Sequence, residues 1–227
     1  MIIPTINEAA LIGGFLGHLR KRLPGAELIV VDGGSDDQTV ALADQQADRV
    51  LRSLRGRAKQ MNAGAAVASG EVLWFLHADS LVPSDPSGSI VRALDDPETV
   101  GGCFRLKFPR REWVYRVSDS LGNVAVDLFQ IALGDHGIFC RRTAFARVEG
   151  YPDVPLMEDA EFYRRLRRVG RVRQLPAYIV SSPRRYEQLG PARTTACYLL
   201  ILILYLTKVP PETLYVIYRK FVGRKES

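Results

Sequence analysis

Residues 72–80 read Val-Leu-Trp-Phe-Leu-His-Ala-Asp-Ser, and the fold turns on how they are read. Val72, Leu73, Trp74, Phe75 and Leu76 form an unbroken apolar run that stops at the polar triplet His77-Ala78-Asp79. A run of this length without polar alternation suits a strand buried on both faces, as in a parallel sheet. In open α/β sheets, ligands bind just beyond the carboxyl ends of such strands. His77 and Asp79 flank Ala78 and can point to the same side. A carboxylate there is placed to hold a divalent cation against a ligand phosphate. The competing reading is a strand end with a capping aspartate, and the rest of the chain must decide between them.

Upstream, Ile2-Ile3-Pro4 opens a strand that runs into Thr5-Ile6-Asn7-Glu8. Leu11, Ile12, Phe15, Leu16 and Leu19 then recur at helical spacing, and Arg20-Lys21-Arg22 suits a helix C-terminus. Glu27–Val31 reads as a second strand ending in Asp32-Gly33-Gly34-Ser35-Asp36-Asp37, which leaves backbone amides open to a ligand. The Ser/Asp cluster caps a helix expected over Gln38–Ala47. A third strand is expected at Arg49–Leu54, and Gly56–Ala68 as a loop entering a helix. Strands alternating with helices of about ten residues imply βαβ units and a mainly parallel sheet.

Downstream, the pattern predicts a strand at Gly101–Phe108, a helix at Glu112–Gln130 and a short strand at Gly137–Arg141. It adds a helical turn at Thr143–Arg147, an amphipathic helix at Glu158–Val169, and two short strands at Val172–Leu175 and Tyr178–Ser182. Then the character changes. Ala196–Leu206 is nearly all apolar, and Leu214–Phe221 follows with Arg219 and Lys220. A bilayer needs about 20 apolar residues, so this segment is expected to be a buried or interfacial helix. Packing on the domain, a homodimer seam and peripheral contact with a membrane surface are its alternatives.

At 227 residues, 47% hydrophobic and 25% charged, the chain has the composition of a globular protein that can bury a substantial core. Its net charge of +6 favours anionic partners such as nucleotides or phospholipid surfaces. The basic residues are dispersed and no stacking platform is visible, so nucleic acid is not expected as a partner. Cys103, Cys140 and Cys197 form no CxxC pair; a reducing cytoplasm fits them, with the inner membrane face as a peripheral alternative. No signal-type segment opens the chain. Asp32-Gly33-Gly34 lacks the three-glycine spacing of a dinucleotide fold, and no Ser-His-Asp or Cys-His set emerges.

Four polar constellations stand at ordered places: Pro4-Thr5-Ile6-Asn7-Glu8, Asp32-Gly33-Gly34-Ser35-Asp36, His77-Ala78-Asp79 and Glu158-Asp159. In this order the chain resembles the family 2 glycosyltransferases of GT-A fold, over about residues 1–185. It is most similar to the bacterial subgroup of rSAM/selenodomain-associated transferases 2, with Arg57–Gly64 and Gly134-Asp135-His136-Gly137 in support. The resemblance implies a Rossmann-like α/β sandwich over residues 1–189, with a nucleotide-binding half to about 100 and an acceptor half beyond it. Residues 190–227 would be a C-terminal apolar helical tail.

The resemblance also implies roles. Pro4, Asn7, Glu8, Asp32, Asn62 and Gly64 would contact the nucleotide of a sugar donor. Asp79 would ligate Mn²⁺ or Mg²⁺ on the diphosphate. His77 stands where the family's first motif aspartate touches the ribose, and is a second candidate ligand. An imidazole there favours Mn²⁺ over Mg²⁺. Arg57, Lys59 and Arg185 are diphosphate candidates; Arg184-Arg185-Tyr186 occupies the place of a Gln/Arg-Arg-Trp motif found in some members. Asp159 would be the base and Glu158 its positioning partner. For Gly134-Asp135-His136-Gly137 a plain turn is the preferred reading, with Asp135 or His136 near the acceptor as the alternative.

The chemistry stands beside the family argument. Displacing a nucleoside diphosphate from a sugar builds charge on the leaving oxygen, which a metal and cations stabilise, while a carboxylate takes the acceptor proton. A nucleotide-sugar-binding protein without turnover and a sugar nucleotidyltransferase are the alternatives. The latter would open with a glycine-rich phosphate loop, where this chain has Pro-Thr-Ile-Asn-Glu. Donor base, sugar and acceptor are open, and a lipid acceptor is compatible with the apolar tail.

Overall fold

Strand β1 (Ile2–Thr5) leads into α1 (Ala9–Arg22), and β2 (Ile29–Asp32) into the short α2 (Thr39–Ala43). Then follow β3 (Arg49–Arg52), α3 (Arg57–Val67), β4 (Val72–Trp74) and α4 (Pro86–Leu94). The long β5 (Thr99–Lys107) precedes α5 (Trp113–Val124), which continues as a π-helical turn over Ala125–Phe129. A 3-10 turn at Gly134–His136 leads to β6 (Phe139–Arg141), α6 (Arg142–Arg147), α7 (Glu158–Val169) and β7 (Arg171–Val180). Three helices close the chain: α8 (Arg184–Leu189), α9 (Pro191–Leu206) and α10 (Pro211–Val222). The structure is a computed structural model, and it describes residues 1–222.

β1 pairs in parallel with β2, and β2 with β3. β4 joins β1 through the parallel bridge Ile2–Phe75. β6 runs antiparallel between β4 and β5, and β7 lies parallel to β5. The order is therefore β3-β2-β1-β4-β6-β5-β7, with β6 alone reversed. This is the mainly parallel sheet the sequence predicts, flanked by helices in an α/β fold.

The unbroken apolar run has the expected cause. Trp74 and Leu76 enter a cluster with Ile12, Leu16, Leu19 and Phe104, while Leu73 and Phe75 join Met61, Phe162 and Leu166 on the opposite face. The register Thr5–Asp32 brings the carboxyl ends of β1 and β2 level. α3 packs directly on these strands because Gly64 has no side chain: an added Cβ would lie 2.5 Å from Ile2 Cγ2 and 2.9 Å from Val31 Cγ2.

Four sequence expectations change. The two strands at Val172–Leu175 and Tyr178–Ser182 are one strand, β7, whose register shifts opposite Phe104 and Arg105. Pro176 sits in that shift, where it removes no ladder hydrogen bond. The helix expected over Gln38–Ala47 is confined to Thr39–Ala43; Asp37 accepts from Thr39 N at 2.9 Å to start it, and Asp48 beyond it accepts from Leu28 N at 2.7 Å. The helix expected to Gln130 leaves α geometry after Val124. Helix α4 was not anticipated, although Asp85 caps it through Gly88 N at 2.9 Å and Pro86 starts it.

Helix α9 packs on α5 and α8. Cys197 and Ile201 of α9 and Leu214 and Tyr218 of α10 share a core with Ile131, Met157 and Ala160. All three cysteines are buried free thiols. Among the described residues, no helix is long and apolar enough to cross a membrane. Residues 223–227, the end of the expected apolar tail, lie outside the described residues.

Candidate active site

The loops after β1 and β2 are tied together by their own polar side chains. Asn7 N donates to Ser35 Oγ and Asn7 Oδ1 accepts from Asp36 N, both at 2.9 Å. Glu8 N donates to Thr39 Oγ1 at 2.8 Å. Asn7 adopts a left-handed backbone, φ 52°, which asparagine tolerates well. Below them the buried Gln60 donates from Nε2 to Thr5 O at 2.9 Å and Val31 O at 2.8 Å, pinning the strand ends at the site.

These loops wall a cleft of about 530 Å³, within the range of small-molecule sites. Pro4, Asn7, Glu8, Arg57, His77, Asp79 and Arg185 of the expected set all line it. Asp135 and Arg184 line it too. Four expected residues stand elsewhere. Asp32 is buried and turns back on its own loop, accepting from Gly34 N and Ser35 N at 2.9 Å and from Ser35 Oγ. Asn62 pairs with the Tyr151 backbone through Nδ2 at 2.8 Å and Oδ1 at 2.9 Å. Gly64 is held at the α3–sheet contact, and Lys59 reaches Asp153 at 3.5 Å.

Arg184 comes over the cleft from α8. Its guanidinium grips both oxygens of Glu8, at 2.7 and 3.0 Å, and Nη2 stands 3.9 Å from Asp79 Oδ2. Arg185 donates to Tyr198 of α9 at 2.9 Å. Sequence reasoning had grouped these arginines in a motif but had no signal for Tyr198, which lies in the apolar tail.

Glu158 and Asp159 occupy the first turn of α7, and both are buried. Met157 before them holds a left-handed backbone, φ 64°, a strain of about 1–2 kcal/mol for a residue with a Cβ. Arg57 Nε lies 2.7 Å from Glu158 Oε1, and this ion pair raises the Arg57 pKa. Asp159 Oδ2 accepts from Gly134 N at 3.0 Å, whereas Oδ1 is buried with no protein partner. Burial, then the neighbouring Glu158 charge, push the Asp159 carboxyl up to about 7, against the opposing pull of Arg57.

The turn at Gly134–His136 is the expected turn, and it also presents Asp135 to the cleft. His77 lies against Gly134, where any side chain would collide with its Nε2. Burial lowers the His77 pKa, and that Nε2 has no hydrogen-bond partner. Burial and then the Asp135 charge raise the Asp79 pKa.

Asp79 and the unpartnered His77 Nε2 are the residues that could share in holding a divalent cation whose other ligands come from phosphate and water. Among the described residues, no group of three or more His, Cys, Asp or Glu side chains is arranged to hold a metal.

The fold and the cleft at its strand ends define an α/β class of protein, and comparison with known proteins gives the family. The sequence profile of glycosyl transferase family 2 matches residues 1–148. The chain belongs to that family. A PGL/p-HBAD biosynthesis glycosyltransferase of Mycobacterium bovis (strain BCG / Pasteur 1173P2) is 34% identical over 43% of this chain and 42% of its own length. The chain thus spans about two fifths of the curated relatives it matches. A mannosyltransferase from Pyrobaculum calidifontis, solved with GDP-Man and Mn²⁺, superposes with a TM-score of 0.68 at 23% identity, over 96% of this chain and 67% of that one. Glucosyl-3-phosphoglycerate synthase from Mycobacterium tuberculosis, solved with Mn²⁺, UDP-glucose and glycerol 3-phosphate, gives 0.62 at 19% identity, over 92% and 79%. These two likenesses establish the fold.

Proposed function

We propose that the chain transfers a sugar from a nucleoside-diphosphate donor to a hydroxyl acceptor, with inversion at the anomeric carbon. The observation that carries this reading is Asp159 Oδ1, a buried carboxylate oxygen left without a partner while Gly134 N holds the other. The acceptor oxygen attacks the anomeric carbon as the bond to the diphosphate breaks. Its proton passes to Asp159, and the nucleoside diphosphate leaves with the electron pair. A carboxyl near pKa 7 is matched to that task at neutral pH.

Arg57, Arg184 and Arg185 line the cleft where leaving-group charge develops. Asp79, with His77 or Asp135 beside it, would hold the divalent cation, which supplies further positive charge to the diphosphate. Manganese in the two related structures supports that choice of ion. Pro4, Asn7 and Glu8 would receive the nucleoside; Asp32 would serve by fixing the loop around it.

The test is thermal stabilisation by UDP-, GDP- and dTDP-sugars, each with and without Mn²⁺. Stabilisation by one donor that requires the metal is expected. No shift with any donor would overturn the reading, and stabilisation without nucleoside diphosphate release to any acceptor would favour a binding protein without turnover.

A further inference from the structure

A second cavity, of about 150 Å³, opens beside the catalytic carboxylates. Asp159 and Glu158 line this cavity, while Arg57, Asp135 and Arg185 line both it and the donor cleft. The two spaces therefore meet at the base. Away from that junction the walls are apolar: Leu121 and Ala125 from α5 and its π turn, Ile131, Leu133, and Leu199 and Leu202 from α9. Of the polar side chains in these walls, His136 keeps a buried Nε2 without a partner, and the hydroxyls of Ser118, Tyr186 and Thr195 are satisfied elsewhere. Ser118 and Tyr186 bond each other at 2.5 Å, and Thr195 Oγ1 donates to Pro191 O at 3.0 Å.

We propose that this cavity receives the acceptor, and that the acceptor is a membrane-lipid alcohol whose hydroxyl meets Asp159 while its chain leaves between α5 and α9. The proposal rests on the transfer reading above. A positioned base suits a neutral hydroxyl, since a lipid phosphate would arrive already ionised and need no proton removed. The cavity is too small for a long chain but has an apolar way out. Leu133 and Leu199 both line it and reach the surface, 36% and 39% exposed.

On the same helices, exposed Trp113, Val117, Val124 and Leu128 recur at helical spacing along α5 and its π turn. Leu199, Ile203 and Leu206 do the same along α9. Two such stripes, on helices that pack against each other, give an apolar chain surface to cover where a compact soluble alcohol would leave them bare. The exposed Arg111 and Arg116 flank Trp113 in sequence, a pairing suited to an anionic lipid surface.

Equilibrium dialysis of tritiated 1-dodecanol against the full chain tests this, with nucleotide-sugar stabilisation measured on every protein. Gly122 lines the cavity, and a Cβ there would meet only ordinary contacts, the nearest Leu106 Cδ2 at 3.5 Å. Gly122→Ala is thus a folding control, and Gly122→Phe fills the space; Leu202→Phe fills it from the opposite wall. Saturable binding is expected in wild type and Gly122→Ala, about tenfold weaker in either Phe variant, with donor stabilisation kept. Displacement by 4-ethylphenol or glycerol should need about a hundredfold more competitor, because they bury far fewer methylenes.

Equal dodecanol binding in both Phe variants would place the alcohol elsewhere and overturn the proposal. Displacement by 4-ethylphenol at equal concentration would overturn the lipid assignment in favour of a compact soluble acceptor. Dodecanol bound by a protein that no nucleotide sugar stabilises would overturn the acceptor role together with the transfer reading, and would uphold only the cavity.

Discussion

Asp159 sits under opposing influences. A helix N-terminus and the Arg57 guanidinium favour its charge, while burial and the adjacent Glu158 oppose it, and burial wins. The carboxyl must be ionised to accept a proton, so kcat/KM should fall about tenfold per pH unit below about 7 and level off above it. A flat profile between pH 5 and 8 would remove Asp159 as the base. Asp159→Asn should lower transfer by about 10²–10⁴-fold while leaving donor affinity nearly unchanged, as isothermal titration with the donor would record. The same substitution should stabilise the fold. Because the folded pKa is raised, the folded state holds the proton more tightly than the unfolded chain. Stability is therefore lost as pH rises from about 4 through about 7, to a total of order 4 kcal/mol. The Asn variant escapes this loss, so its melting temperature should exceed wild type at pH 8 and match it near pH 3. Asp79→Ala should abolish the part of donor stabilisation that EDTA removes from wild type. If EDTA removes none, Asp79 holds no metal.

Gly64 shows how one motif position can carry two meanings. In the sequence it belongs to an Asn-x-Gly pattern tied by resemblance to the donor; in the structure it lets α3 rest on Ile2 and Val31. Gly64→Ala should cost about 1–3 kcal/mol by overpacking, read as a lower urea midpoint, with the donor affinity of the folded protein kept. A variant of wild-type stability with lost donor affinity would reverse that assignment. The strands were legible because burial on both faces writes a local signal, as at Leu73–Leu76. The direction of β6 was not, since a buried strand reads the same forwards and backwards, and only pairing with β4 and β5 reveals it. The lining of the cleft was legible where strand ends deliver it, at Glu8, His77 and Asp79. Asp135 was divided between a turn and a site because its sequence fits both, and it stands in a turn that also lines the cleft. Tyr198 was invisible, being one aromatic in an apolar helix until α9 folds back onto Arg185.

The last two helices raise the question of where the cooperative unit ends. The sequence invites a boundary near 189, because composition shifts there from mixed to almost wholly apolar. Packing argues against a free appendage. Ile201 and Leu214 bury themselves against Ile131, Met157 and Ala160, and Met157 and Ala160 flank Glu158 and Asp159. Tyr198 continues into the ring cluster of Phe108, Tyr115 and Tyr186, and Tyr205 donates to Glu161 of α7 at 2.7 Å. Stripping α9 and α10 would uncover this core at about 25 cal/mol for each Å² of apolar surface, enough for a few side chains to match the stability of a typical domain. A chain ending at Leu189 should therefore melt well below the full chain, bind the dye ANS, and lose the pH profile of Asp159 as water reaches its carboxylate. An unchanged melting temperature in the shortened chain would show the helices to be an independent attachment, and would separate them from the acceptor cavity they are proposed to wall.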